Sequence, residues 1–296
     1  YDVYATAADF GLSSNGTAEA KSYFASDLCV SEDVAIGTDS TDSQVAEGAG
    51  TFNLETNTVV YAKNLYERLY PASTTKILTA YIALKYCDDL DAMVTVSENA
   101  VNQASDSSVC NLKAGDVIRL RDLLYGLMLR SGNDAAVAIA EYISGDVDSF
   151  AALMNQEAAA MGATRSHFVN PNGLPDENHY TCVYDMYLIC SNAIKNDTFV
   201  SIIGTTSYDV TYTDASGEAV THTWENTNQY LTGNATTPDG FQIVGGKTGT
   251  TGEAGYCLVL YSYNPSGQPI ISIVFKADGK SNLYLLMNEM LQGFAI

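Results

Sequence analysis

Apolar and polar positions divide the chain into strand-like ends and a helical middle. Residues 46–52 and 58–62 are strand-like runs separated by the polar stretch Asn53-Leu54-Glu55-Thr56-Asn57, so they predict a hairpin. Between Lys76 and Leu84 nearly every position is apolar, which is the pattern of a helix buried on all sides in the middle of a domain. Residues 94–96 predict a short strand, and Ser97 is placed to cap a helix running through Gln103. From Leu112 to about Ile203 the period is helical. Leu120, Leu123, Leu124, Leu127 and Met128 line one face of a run over 119–129, followed by helices over 134–143, 147–161 and 183–195.

After Ile203 the pattern changes to strands, at 208–212, 219–223, 241–247, 256–263 and 270–275, and a last helix is expected over 282–293. The fold class implied is α/β in the α+β sense, a mainly antiparallel sheet flanked by helices and built from both ends of a unit spanning 45–296. An all-helical subdomain, about 97–205, is inserted into it. A cleft between the two parts is the expected place for a site.

Chemistry enters at the start of the buried helix. In Pro71-Ala72-Ser73-Thr74-Thr75-Lys76 the serine and lysine are three residues apart and share a helical face. A serine hydroxyl is a weak nucleophile until a base takes its proton, and an amine one turn away can do that. The first turn adds free backbone N–H groups and the positive end of the helix dipole, both favourable to negative charge on the serine oxygen. Alone, such a pair also fits a capped core helix with an incidental lysine. Two further motifs change that reading: Ser131-Gly132-Asn133 at the start of a helical run, and Lys247-Thr248-Gly249 after the apolar stretch Phe241-Gln242-Ile243-Val244.

Composition narrows the partners. A net charge of -21 and a pI near 4.2 argue against nucleic acid or an anionic membrane surface. Residues 1–43 hold eight acidic side chains and one lysine, so residues 1–44 read as an acidic tether or extension, with one helix near 18–28. No apolar run is long enough for a membrane span and Tyr1 opens no signal sequence, so the chain is expected to be cytoplasmic or to have lost an export segment.

The six cysteines show no metal-like spacing, and Cys182 and Cys190 would lie about 12 Å apart on one helix, too far to bridge. Most of the six are expected to be small buried hydrophobes. His167, His179 and His222 share no metal spacing either, and His167 reads as structural. Asp176 and Glu177 read as solvated loop carboxylates.

Ser-x-x-Lys, Ser-x-Asn and Lys-Thr-Gly in this order resemble penicillin-binding proteins and their β-lactamase relatives. The similarity runs from about residue 46 to 294. It includes Leu129-Arg130-Ser131-Gly132-Asn133-Asp134-Ala135, His167-Phe168 with Asn172-Gly173-Leu174, and Gly246-Lys247-Thr248-Gly249-Thr250 with Ala254-Gly255-Tyr256. On these motifs the chain resembles the low-molecular-weight D-alanyl-D-alanine carboxypeptidase family, whose usual residue at the middle motif is the glycine found here as Gly132.

The resemblance implies a β-lactamase/transpeptidase-like fold, no cofactor and no metal. It implies attack by Ser73 on the penultimate D-alanine of a peptidoglycan stem peptide ending in D-Ala-D-Ala, with loss of the terminal D-alanine, and covalent inhibition by β-lactam antibiotics. Lys76 would be the base, Ser131 a proton relay to the leaving amine, and Asn133 a clamp on Lys76 and the substrate amide. The N–H groups of Ser73 and Thr250 would form an oxyanion hole, worth about 3 kcal/mol per donor. Gly249 would leave the strand edge bare for the peptide, and Lys247, Thr248 and Thr250 would hold its carboxylate.

It also implies an extracytoplasmic location in a bacterium, with membrane association only through a segment absent from this chain. A D,D-endopeptidase, a β-lactamase and a non-turnover β-lactam receptor are the alternatives on the same motifs. No arginine follows Arg165, where the family often places a basic residue beyond Lys-Thr-Gly; Lys276 or Lys280 is the expected substitute, without the planar fork of a guanidinium.

Overall fold

The structure is a computed structural model of the chain and describes residues 27–296. The main sheet has five antiparallel strands in the order β2-β1-β9-β8-β7, from β1 (Ala46–Asn53), β2 (Thr58–Lys63), β7 (Gln242–Thr251), β8 (Gly255–Tyr263) and β9 (Pro269–Ala277). Both ends of the unit contribute because β1 pairs with β9 over its whole length, Ala46 opposite Ala277 and Asn53 opposite Ile270. Helix α8 (Lys280–Phe294) covers one face, burying Leu286, Met287, Met290 and Leu291 against Leu258, Leu260, Ile270 and Val274.

The other face carries the helical block, α1 (Lys76–Tyr86), α2 (Glu98–Val101), α3 (Leu120–Tyr125), α4 (Asn133–Ser144), α5 (Val147–Ala160), α6 (Val183–Ala193) and α7 (Asp197–Ile203). Its centre is α1, which packs on α4, α5, α6 and α7 and buries Ile77, Leu78, Ala80, Ile82 and Ala83. An apolar surface all round the helix has no better place than this. Ser97 caps α2, its Oγ accepting the Ala100 N–H at 2.9 Å.

The expected α+β architecture is what the chain adopts, but the expectation of an all-helical insert over about 97–205 is corrected. Strand β4 (Val117–Arg119) lies inside those bounds and joins β3 (Met93–Thr95) and the hairpin β5 (Ser207–Thr213) and β6 (Ala219–Glu225), which lie outside them, in a second sheet, order β3-β4-β5-β6. Strand β4 falls where the sequence predicts only helix. A three-residue strand inside a Leu-rich stretch has no period of its own to read, and only its partners make it a strand.

Residues 27–44 run along the main domain. Ile36 exchanges backbone hydrogen bonds with Ala62 on the sheet edge, the Cys29 N–H donates to Tyr187 Oη at 2.8 Å, and the Asp42 N–H donates to Glu289 Oε2 at 2.7 Å. The helix expected near 18–28 falls almost wholly outside the described residues. All six cysteines are free, and five of them are buried. Among the described residues no helix is long and apolar enough to cross a membrane.

Candidate active site

The nucleophile candidate sits on a tight turn rather than on the α-helix proper. Ala72–Thr75 form a 3-10 turn leading directly into α1, and Ala72 adopts φ 47°, a left-handed conformation uncommon for alanine. Such backbone strain persists only where surrounding structure over-determines it, and it clusters at functional sites. The restraint here comes from a loop: Gly173, at φ +87°, lies so close that a Cβ on it would stand 1.8 Å from the Ala72 carbonyl oxygen.

That loop, residues 167–180, is laced to the start of α1. Thr79 Oγ1 donates to the Pro171 carbonyl at 2.7 Å, and His179 Nε2 lies 2.9 Å from Thr75 Oγ1 while its Nδ1 accepts the Val169 N–H at 3.1 Å. A His179 ring that accepts at Nδ1 and donates at Nε2 is neutral, and burial pushes its pKa down to about 4. His167 is exposed and donates Nδ1–H to the Asn178 carbonyl at 2.6 Å, a fastening within the loop.

Lys76 is fully buried, and its Nζ lies 2.9 Å from Ser73 Oγ, 2.8 Å from Asn133 Oδ1 and 2.8 Å from the Asn172 carbonyl oxygen. Among the described residues no carboxylate bonds to it. Burial, and after it the nearby Lys247, hold its pKa well below the usual lysine value of 10.5. A neutral amine has two hydrogens and one lone pair. In the neutral form that this shift favours, the two amide-type acceptors can take the hydrogens and the lone pair can accept from the Ser73 hydroxyl.

Ser131 and Asn133 arrive by a change of helical hand and pitch. The chain leaves α3 through a single π-helical stretch, Gly126–Arg130, places Ser131 at φ 60°, ψ 35°, and starts α4 at Asn133. Such π segments commonly mark functional sites. Gly132 has no space for a side chain, since a Cβ there would stand 2.3 Å from Cys110 Sγ and 2.8 Å from Asp134 Oδ1. The buried Asp134 carboxylate accepts N–H bonds from Cys110, Leu112 and Ala135, tying the loop that carries Ser107 and Ser108 to the first turn of α4.

The opposite wall is β7, the edge strand of the main sheet, whose outer N–H and C=O groups have no strand partner among the described residues. Gly249 lets it approach: a Cβ at this position would stand 2.8 Å from the Ser73 nitrogen. Lys247 is 1% exposed, donates to the Thr248 carbonyl at 2.9 Å, and is pushed down to a pKa of about 7 by burial. Thr248 Oγ1 lies 2.6 Å from Thr227 Oγ1.

Between these walls one arm of the cleft is lined by Ser73, Ser131, Thr248, Gly249, Thr250 and Lys280 and has a cavity volume of about 240 Å³. A second arm, meeting it at Ser73, Ser108 and Thr250, runs past Asn133, Asn172 and Gly252. All eight residues singled out in the sequence, Ser73, Lys76, Ser131, Asn133, Lys247, Thr248, Gly249 and Thr250, therefore converge on one place. Sequence reasoning missed the Asn172 carbonyl, the Asp134 tether, His179 and Thr227. The turn-rich stretch around Asn172-Gly173 was visible, but nothing in it shows that a main-chain oxygen faces a lysine. Asp176 and Glu177 are exposed and do not line this cleft.

A hydroxyl 2.9 Å from a buried amine whose pKa is held down, under a bare strand edge, can attack a carbonyl and hold an acyl group. Comparison with known proteins agrees with that chemistry. A family profile described as D-alanyl-D-alanine carboxypeptidase matches residues 37–279. The D-alanyl-D-alanine carboxypeptidase DacF of Bacillus subtilis is 34% identical over 83% of this chain and 61% of its own length. The D-alanyl-D-alanine carboxypeptidase of Streptomyces sp. strain K15 is 34% identical over 85% of this chain and 88% of its own. Among solved structures, the Streptomyces K15 DD-transpeptidase superposes with a TM-score of 0.78 at 33% identity, covering 85% of this chain and 98% of that one. The chain spans about three fifths of the Bacillus relative and most of the Streptomyces one. With fold, motif order and the residues between them all in agreement, the chain belongs to the D-alanyl-D-alanine carboxypeptidase family of serine peptidases.

Proposed function

We propose that the protein is a serine-type D-Ala-D-Ala carboxypeptidase that trims the terminal D-alanine from peptidoglycan stem peptides. The single observation that carries this reading is the Lys76 amine, buried without a carboxylate and 2.9 Å from Ser73 Oγ. In the proposed reaction Lys76 Nζ takes the Ser73 proton as Oγ bonds to the carbonyl carbon of the penultimate D-alanine. The carbonyl oxygen, now negative, is held by the Ser73 and Thr250 N–H groups.

Collapse of this intermediate breaks the peptide bond, and the leaving nitrogen gains a proton passed from Lys76 through Ser131. Water, deprotonated by the same amine, then releases the acyl group and restores the serine. Asn133 holds Lys76 in line and receives the substrate amide, while Lys247, Thr248 and Thr250 form the carboxylate end of the site. Gly249 keeps the β7 edge bare, so the peptide can lie along it as an added strand.

A β-lactam carbonyl would enter the same path and stop at the acyl-enzyme. The substrate lies outside the cytoplasmic membrane, which supports export of the chain and any membrane attachment through a segment outside it. A second reading comes from the K15 relative, named a carboxypeptidase in one comparison and a DD-transpeptidase in the other. The same acyl-enzyme passed to an amine instead of water gives transfer.

The test is incubation with a diacyl tripeptide ending in D-Ala-D-Ala, with and without an added amine acceptor. Release of free D-alanine with an equal amount of hydrolysed dipeptide supports the carboxypeptidase. Release only when the amine is present favours transfer. A protein that is acylated by penicillin and releases no D-alanine in either case would contradict both.

A further inference from the structure

Resting on that reading, we propose that the second arm of the cleft selects stem peptides whose residue just before the D-alanine pair carries a free amine on an aliphatic side chain, with Asp106 and Glu253 as the specificity-determining residues.

The direction of the bound peptide sets which of its residues meets this arm. With its carboxylate end at Thr248 and its scissile carbonyl between Ser73 and Thr250, a peptide added to the β7 edge runs antiparallel to β7, and its upstream residues pass Thr250 toward Gly252. An extended chain advances about 3.4 Å per residue. The residue before the D-alanine pair therefore leaves the first arm where the two meet, at Ser73, Ser108 and Thr250, and enters the second. The passage is open at Gly252, where a Cβ would meet nothing within 4 Å.

The lining of the second arm fits a long side chain that ends in a cation. Asp106 and Glu253 are the acidic residues among those lining the two arms, and the second arm has no lysine or arginine. Neither carboxylate has an ion-pair partner among the described residues. Both stand on fixed supports, one on each wall. The loop of Asp106 is tied to α4 by the Asn133 N–H, which donates to the Ser108 carbonyl at 2.8 Å, and the turn of Glu253 is closed by the Ala254 N–H, which donates to Thr251 Oγ1 at 3.0 Å.

A separate observation points to a polar ligand here. Ser107 lines the same arm, and its Oγ is buried with no hydrogen-bond partner among the described residues. Such orphaned polar atoms are few in folded proteins, and a bound amine would give this one a partner. Leu174, 36% exposed although apolar, and Pro175 offer methylenes a surface to lie along. A net charge of -21 adds a long-range preference for cations. An amine already acylated in a branch or a cross-link has lost its charge, so the protein should act on stems before that amine is used.

The experiment compares acylation of Ser73 by two penicillins made from 6-aminopenicillanic acid, one carrying Nα-acetyl-L-lysine and the other Nα,Nε-diacetyl-L-lysine, which differ only at the side-chain amine. The wild-type protein should react roughly fivefold to tenfold faster with the free amine, the scale of two solvent-facing ion pairs, and less so at high salt. Asp106→Asn combined with Glu253→Gln should bring the two rates together by slowing the free amine alone, with the melting temperature unchanged. Asp278→Asn, in the neighbouring hollow, should keep the preference. Equal rates in the wild-type protein, or a preference that survives the double substitution, would overturn the assignment. Because acylation is read without turnover, failure to release D-alanine would count against the carboxypeptidase reading alone, and the ratio of the two rates would still decide the role of the acidic arm.

Discussion

The two walls of the cleft are built on different terms. On the helical wall the base and its supports are held: Lys76 Nζ has three partners, the Asp134 carboxylate accepts from three backbone N–H groups, and the 167–180 loop is fastened to Thr75 and Thr79. The sheet wall is sparsely bonded, with one hydrogen bond to Lys247, a glycine at 249 and an unpaired strand edge. Proton transfer needs fixed distances, so the helical wall is rigid before substrate arrives. A strand edge needs a partner, and the sheet wall is left for the substrate to complete.

Changes on the helical wall should break chemistry first. Ser73→Ala is expected to lower acylation by fluorescent penicillin by roughly 10⁴-fold or more, with the melting temperature unchanged, since a nucleophile and its base act as one unit. Lys76→Ala should cost about 10³-fold or more while leaving Ser73 in place, the range for losing a general base. For the same reason acylation should fall as pH is lowered and Lys76 takes up a proton, a limb that pre-steady-state labelling across pH would show.

Gly173→Ala probes the loop that strains Ala72. With its Cβ directed 1.8 Å from the Ala72 carbonyl and φ at +87°, it should destabilise the fold by about 2–4 kcal/mol and reduce acylation, read by denaturant unfolding and labelling together. On the sheet wall the expected sign reverses. Lys247 has its folded pKa lowered from 10.5 to about 7, so between those values the unfolded chain holds a proton that the folded chain lacks. Stability from this group therefore rises with pH across that window and is at its lowest below pH 7. Lys247→Met should remove the burden, raising stability by about 1–3 kcal/mol at pH 6 with a shrinking gain toward pH 10, at the expense of activity. Thermal unfolding of both proteins at several pH values checks it.

Much of the catalytic wall was legible because its chemistry is local. Ser73 and Lys76 lie three residues apart where a 3-10 turn runs into a helix whose burial the sequence shows, and either helical form brings them together. Convergence of Ser131, Asn133 and Lys247 was legible only through the order of the three motifs, since no local pattern places a distant strand beside α1. Three things were hidden. Backbone carbonyls such as that of Asn172 carry no side-chain signature, the β5–β6 hairpin could not be assigned to the second sheet without knowing β3 and β4, and the acidic average of residues 27–44 masks the anchors Cys29 and Ile36.

The claim on which the rest stands is that the amine next to Ser73 is uncharged at working pH. Nuclear magnetic resonance of protein with ¹³C-labelled lysine side chains, with the Lys76 signal assigned by its loss in Lys76→Arg, reads that charge directly. The Lys76 Cε resonance should be that of a neutral amine at pH 8 and should titrate well below the usual lysine range. A Lys76 that stays protonated until about pH 10, as a solvated lysine does, would contradict the proposed base and the mechanism with it.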